Sequence, residues 1–179
     1  MTDSIKQAIP NVPDWPVPGV IYRDITGLVS NPKAFKLSVD MISNFMLQSG
    51  VECIVAPDAR GFIWASAVAY NLGLPIHLVR KPGKLPPPTI GYEFDYEYDS
   101  TSLHIKATAD INEKTKVGII DDINATAGTA LAITELLKHF GTTAENISYA
   151  CVADLPYLGG SDQLRKLGIN FFATTEYHG

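Results

Sequence analysis

The apolar positions of this chain fall into two rhythms. Phe35, Val39, Ile42 and Met46 recur at the spacing of one helical face. Asn31-Pro32 precedes them as an N-cap with proline at the first helical position, and Gly50 lies just past the last of them. That pattern predicts an amphipathic helix. Short apolar runs at 53–55, 76–79, 117–120, 147–153 and 171–174 predict buried strands. Segments 62–72, 129–140 and 161–167 carry helical spacing between them. Residues 93–98 and 102–105 predict two further strands, joined as a hairpin around Asp99-Ser100. Four prolines between Pro10 and Gly19 predict an extended wrapping loop, and residues 81–88 a polar, proline-rich one.

Strands that alternate with helices imply an α/β chain with a mostly parallel central sheet flanked by helices. The whole of 1–179 is expected to form one domain, with the hairpin projecting as a flap or lying at an antiparallel edge. Ligands of such sheets sit beyond the carboxyl ends of the strands, so residues just after Val55, Val79 and Ile120 are expected to line one crevice.

Composition narrows the partners. The formal net charge is −5 and the pI about 5.3, which gives no reason to expect nucleic acid or an anionic membrane. A polyanionic ligand must then be small and held by a local basic cluster. Cys53 and Cys151 each lie in an apolar run and are expected as buried free thiols. No leader peptide pattern and no membrane-length apolar run is present, so the cytoplasm is the expected compartment. His77, His104, His139 and His178 lack metal-ligand spacing. Trp15 is expected to pack near the N-terminal loop, and Trp64 in the core or an interface.

The candidate chemistry lies at Val117 to Thr129. An apolar strand ends in Asp121 and Asp122, followed by Ile123, Asn124, Ala125, Thr126, Ala127, Gly128 and Thr129, then a helix. A helix N-terminus offers free N–H groups and a favourable dipole to a phosphate. Small residues allow close backbone approach and the threonines add hydroxyls. The two carboxylates can accept from ribose hydroxyls or bind Mg²⁺ through water. No Walker motif and no dinucleotide glycine fingerprint occurs.

An apolar strand, two acids and a Thr/Gly loop resemble the phosphoribosyl diphosphate (PRPP) signature of type I phosphoribosyltransferases. Three further stretches are similar to the adenine-specific family. Residues 16–26, Pro-Val-Pro-Gly-Val-Ile-Tyr-Arg-Asp-Ile-Thr, resemble its purine-covering hood. Asp58-Ala59-Arg60-Gly61-Phe62 resembles its diphosphate loop, and residues 80–86, Arg-Lys-Pro-Gly-Lys-Leu-Pro, its basic loop. Glu97-Tyr98 falls where the family carries a catalytic pair, and Leu155-Pro156 and Leu158-Gly159-Gly160 recur in it.

The resemblance implies a type I phosphoribosyltransferase fold with a hood over about 1–30, and a basic loop and flap over about 81–106. It implies transfer of the phosphoribosyl group from PRPP to adenine, giving AMP and diphosphate, in a homodimer. Arg60, Glu97 and Tyr98 are the implied catalytic residues. Asp121, Asp122 and 125–129, with Arg60, Arg80, Lys81 and Lys84, are implied to bind PRPP or AMP. Val20, Tyr22, Arg23 and Ile123 are implied at the purine, and Mg²⁺ arrives through PRPP with its protein ligands left open. A transferase for a 6-oxopurine and a non-catalytic PRPP-binding regulator are the alternatives. Five positions depart from the family pattern: Asp58 for Glu, Tyr22 for Phe, Asn124 for an apolar residue, Ala127 for Gly and Asp99 for Gly. If position 127 needs a positive φ, alanine there costs on the order of 1 kcal/mol.

Overall fold

In the computed structural model, residues 2–96 and 99–179 are described. Five parallel strands build the central sheet: β3 (Cys53–Pro57), β4 (Ile76–Val79), β7 (Val117–Asn124), β8 (Ile147–Asp154) and β9 (Asn170–Glu176), in the order β4-β3-β7-β8-β9. β3 and β8 are buried at every residue and β7 at all but one, as expected of strands covered on both faces.

On one face lie α3 (Pro32–Gln48) and α4 (Gly61–Leu72). Asn31 caps α3 by accepting from the Ala34 N–H at 3.1 Å, and Pro32 opens the helix. Its buried stripe includes Ala34, Val39, Ile42 and Met46. Trp64 of α4 is fully buried and donates its indole N–H to Ser38 of α3 at 2.8 Å, which satisfies both polar groups inside the core. On the other face lies α5 (Gly128–Lys138), with α6 (Gly160–Lys166) following β8. Cys53 and Cys151 are buried and free, and burial pushes the Cys53 thiol up to about 12.

Several elements differ from the sequence expectation. The proline-rich segment contains β1 (Asn11–Pro13), which pairs with β2 (Ile21–Arg23) as an antiparallel hairpin. An edge pairing of three residues leaves too little alternation to be seen in sequence. Two short helices, α1 (Thr2–Gln7) and α2 (Thr26–Val29), also lack a periodic signal because each is under two turns long. The second hairpin comprises β5 (Thr89–Tyr96) and β6 (Asp99–Lys106). Tyr96 pairs with Asp99, so Asp99 and Ser100 belong to the strand rather than to the turn expected around them. β7 continues through Asn124, so both aspartates lie inside the strand and not after it. Charge at 121 and 122 looked like a strand end, but the parallel ladder to β8 runs on to Asn124 and Asp154.

Between β7 and α5 the chain turns at Ala127, which has φ 65° and ψ 12° and is 4 % exposed. The left-handed conformation is held from outside. The Gly160 N–H donates to the Ala125 carbonyl at 3.1 Å, and a Cβ at Gly160 would come within 2.3 Å of that oxygen. A left-handed L-residue costs about 1–2 kcal/mol, and the extra unfolded-state freedom of glycine recovers part of that. Ala127→Gly is therefore expected to stabilise the protein by about 1 kcal/mol, raising Tm by roughly 2–4 °C in calorimetry. Gly160→Ala is expected to shift Tm the other way, because backbone and not a flexible side chain blocks the methyl.

Candidate functional site

The sheet order sets β7 beside β3, and β3 beside β4, so their carboxyl ends open onto one edge. Asp58 to Arg60 follow β3, Arg80 follows β4, and Asp121 and Asp122 lie in the second half of β7. A cleft of about 270 Å³ is lined by Asp58, Ala59, Arg60, Asp121, Asp122, Ile123, Ala125 and Thr129. A smaller pocket of about 70 Å³ adjoins it, lined by Asp121, residues 123–130 and Tyr149. Of the three segments expected to line the crevice, those after Val55 and Ile120 do so, whereas Arg80, after β4, is not among the lining residues and meets the site through its ion pair with Asp58.

Asp121 and Asp122 are 8 % and 3 % exposed. The Asp122 N–H donates to the Asp121 carboxylate at 2.8 Å, and Arg60 Nε pairs with Asp122 Oδ2 at 2.8 Å. Burial, then the charge of Asp122, hold the Asp121 carboxyl well above the usual carboxylate range; Arg60 opposes both. Gly61, where α4 begins, lies so close that a Cβ would stand 3.2 Å from Asp121 Oδ1. A ligand that brings hydroxyl donors or a cation to Asp121 relieves this unmet demand for positive charge. At the start of α5 no side chain caps the helix, which leaves its first N–H groups to an anion.

Arg60 also donates to the Tyr22 hydroxyl at 2.7 Å, joining β2 to the loop after β3. Arg80 pairs with Asp58 at 2.9 Å and donates to the Lys84 carbonyl at 3.2 Å, which folds the basic loop back on itself. Lys81 and Lys84 are exposed and make no ion pair among the described residues. Ile123 is half-buried and lines both cavities, while Val20 is 39 % exposed. Arg23 differs from the rest: its side chain is buried, donates to Asn11 and the Gly179 carbonyl, and lies 4.2 Å over the Tyr177 ring. Its guanidinium is committed to Asn11, Gly179 and Tyr177, so the side chain is not offered to the cleft as the resemblance implied. Glu97 and Tyr98 lie outside the described residues.

The polar departures Tyr22 and Asn124 each make one hydrogen bond to a protein group. Asn124 donates to the fully buried Asp154 at 2.7 Å, across the last pair of the β7–β8 ladder. Sequence reasoning missed Asp154 and Tyr149, because both sit in an apolar strand far from the motif they adjoin. The signal was their polar character in the mostly apolar run 147–153 and at its end.

The raised Asp121 carboxyl means that the folded protein binds this proton more tightly than the unfolded chain. Its contribution to stability is present below the ordinary carboxylate range and is lost as pH rises through the raised value. Asp121→Asn is expected to flatten that arm of the ligand-free stability profile, followed by denaturant melts between pH 4 and 9. The same substitution should weaken binding of a ligand at this cleft by roughly tenfold or more, because the amide is a weaker acceptor.

Residues 28–166 match the phosphoribosyl transferase domain family. The adenine phosphoribosyltransferase of Idiomarina loihiensis is 39% identical over 176 residues, covering 98% of each chain. That of Novosphingobium aromaticivorans is 40% identical over 178 residues, covering 99% of this chain and 98% of the relative. The crystal structure of adenine phosphoribosyltransferase from Thermoanaerobacter pseudethanolicus superposes with a TM-score of 0.89 at 35% identity, covering 99% of this chain and 100% of the other. The Giardia lamblia enzyme complexed with 9-deazaadenine gives 0.91 at 26% identity, covering 99% and 98%. With a family match across most of its length and near-full-length relatives at this identity, the chain belongs to the adenine phosphoribosyltransferase family.

Proposed function

We propose that this chain transfers the 5-phosphoribosyl group from PRPP to adenine, giving AMP and diphosphate. The observation that carries this reading is the buried Asp121–Asp122 pair set beside an uncapped helix N-terminus, with Arg60 and Arg80 on the facing loops. The loop 125–129 takes the 5′-phosphate and the aspartates face the ribose. As the bond from ribose C1 to diphosphate oxygen breaks, the leaving group takes the electron pair. Arg60, with Arg80, Lys81 and Lys84, stabilises its charge. Ribose C1 then bonds to adenine N9, whose proton must leave. Glu97 is assigned to accept that proton, with Tyr98 as the second residue of the catalytic pair. Ile123, Val20, Tyr22 and the Arg23 backbone surround the base.

Mg²⁺ fits this site as an ion carried by the substrate. It is commonly held by one or two carboxylates with phosphate oxygens and water, which suits Asp121 and Asp122; no cluster of three acidic, His or Cys ligands occurs among the described residues. When bound it would neutralise diphosphate charge. A homodimer is supported by exposed Ile63 and Tyr70 on one face of α4, beside exposed Leu78 on edge strand β4. A cytoplasmic setting is supported by the free thiols; no helix among the described residues is long and apolar enough to cross a membrane.

Purified protein given PRPP, Mg²⁺ and one of adenine, hypoxanthine, guanine or xanthine should form AMP fastest. Faster formation of an oxopurine nucleotide would reject adenine as the base. Glu97→Ala should lower kcat by about 10²–10⁴-fold with little change in the KM for PRPP; an unaltered kcat removes Glu97 from the mechanism.

A further inference from the structure

Tyr149 sits in the middle of the sheet, paired in register with Ile119 of β7 and Phe171 of β9. It is 1 % exposed, and its ring stacks on Phe171 with centroids 5.7 Å apart. A tyrosine buried this deeply normally gives its hydroxyl a protein partner. Here no described residue takes the Tyr149 proton, yet the side chain forms part of the wall of the pocket made by Asp121 and the loop before α5. The hydroxyl's unmet donor and the uncapped helix N-terminus therefore serve the same small cavity. Burial, with the charges of Asp121, Cys151, Asp122 and Asp154 around it, pushes the phenol well above its usual value and keeps it a donor. An anion suits such a pocket: the helix supplies N–H groups from one side and the phenol an O–H from the sheet.

We propose that Tyr149 is a phosphate-contacting residue, its hydroxyl donating to an anionic oxygen of the phosphate held by the loop 125–129. The inference rests on the phosphoribosyl reading above and adds to it a donor from the sheet floor. Tyr149→Phe removes only the hydroxyl and keeps the stacked ring, so the fold is retained. A hydrogen bond to a charged oxygen is worth about tenfold or more in affinity. Calorimetric titration of the wild type and the variant with AMP and with adenosine separates the phosphate from the rest of the ligand. The expected result is a loss of about tenfold or more for AMP, with adenosine affinity within about twofold. Ligand-free Tyr149→Phe should melt no lower than the wild type, because a buried donor without a protein partner adds nothing to stability.

Equal losses for AMP and adenosine would place the hydroxyl on the ribose side and overturn the proposal. So would an unchanged AMP affinity, or a lower melting temperature with an unchanged AMP-to-adenosine ratio. If the wild type fails to bind AMP at all, it is the proposed function that falls. Titration of both proteins with inorganic phosphate still decides the role of Tyr149, since a loss in the variant supports it and equal affinity rejects it.

Discussion

Two adjacent carboxylates held inside a buried parallel strand set the terms for everything around them. Water reaches Asp121 and Asp122 poorly, so the site must supply their compensation by other means. Arg60 provides it for Asp122, and thereby draws the loop after β3 over the end of β7. Asp121 receives one backbone N–H and little else, which leaves a demand that a polyol or a cation can meet. The carboxylate pair and the uncapped helix start are a few residues apart on one strand–loop–helix unit. A ligand with phosphate at one end and hydroxyls next to it matches that spacing.

The architecture was legible in sequence wherever packing imposes a period. The stripe from Phe35 to Met46 and the apolar runs around Ile54, Ile119 and Ala150 report burial directly, and burial is what organises the sheet. The site was legible for a different reason. Backbone chemistry there demands unusual residues, so Asp121-Asp122 and the small-residue loop stand out against an apolar background. Illegible features were those set by partners distant in sequence. Nothing near Arg23 announces that its guanidinium turns to Tyr177 and the Gly179 carbonyl, away from the cleft. Asp99 and Ser100 lie in a strand because cross-strand register, and not local turn propensity, decides which residues pair.

The departures at Tyr22, Asn124 and Ala127 prove to be of two kinds. Tyr22 and Asn124 add polar atoms: the Tyr22 hydroxyl accepts from Arg60 and the Asn124 amide donates to Asp154, while Asn124 Oδ1 is buried without a partner among the described residues. Ala127 adds a methyl at a positive φ, and nothing local answers it. Its conformation is imposed by the strand before it, by the helix after it and by the backbone at Gly160. Strain of this sort persists only when neighbouring structure over-determines it, and a loop so constrained is already in shape for its ligand.

The two tryptophans occupy opposite environments. Trp64 is sealed in the core against Ser38, whereas Trp15 is half exposed and meets the Tyr22 ring edge-on at 4.3 Å. Tyr22 in turn is bonded to Arg60. The chain therefore carries two separate optical reporters: a shielded indole whose emission follows global unfolding, and a solvated one linked through a single phenol to the arginine that pairs with Asp122.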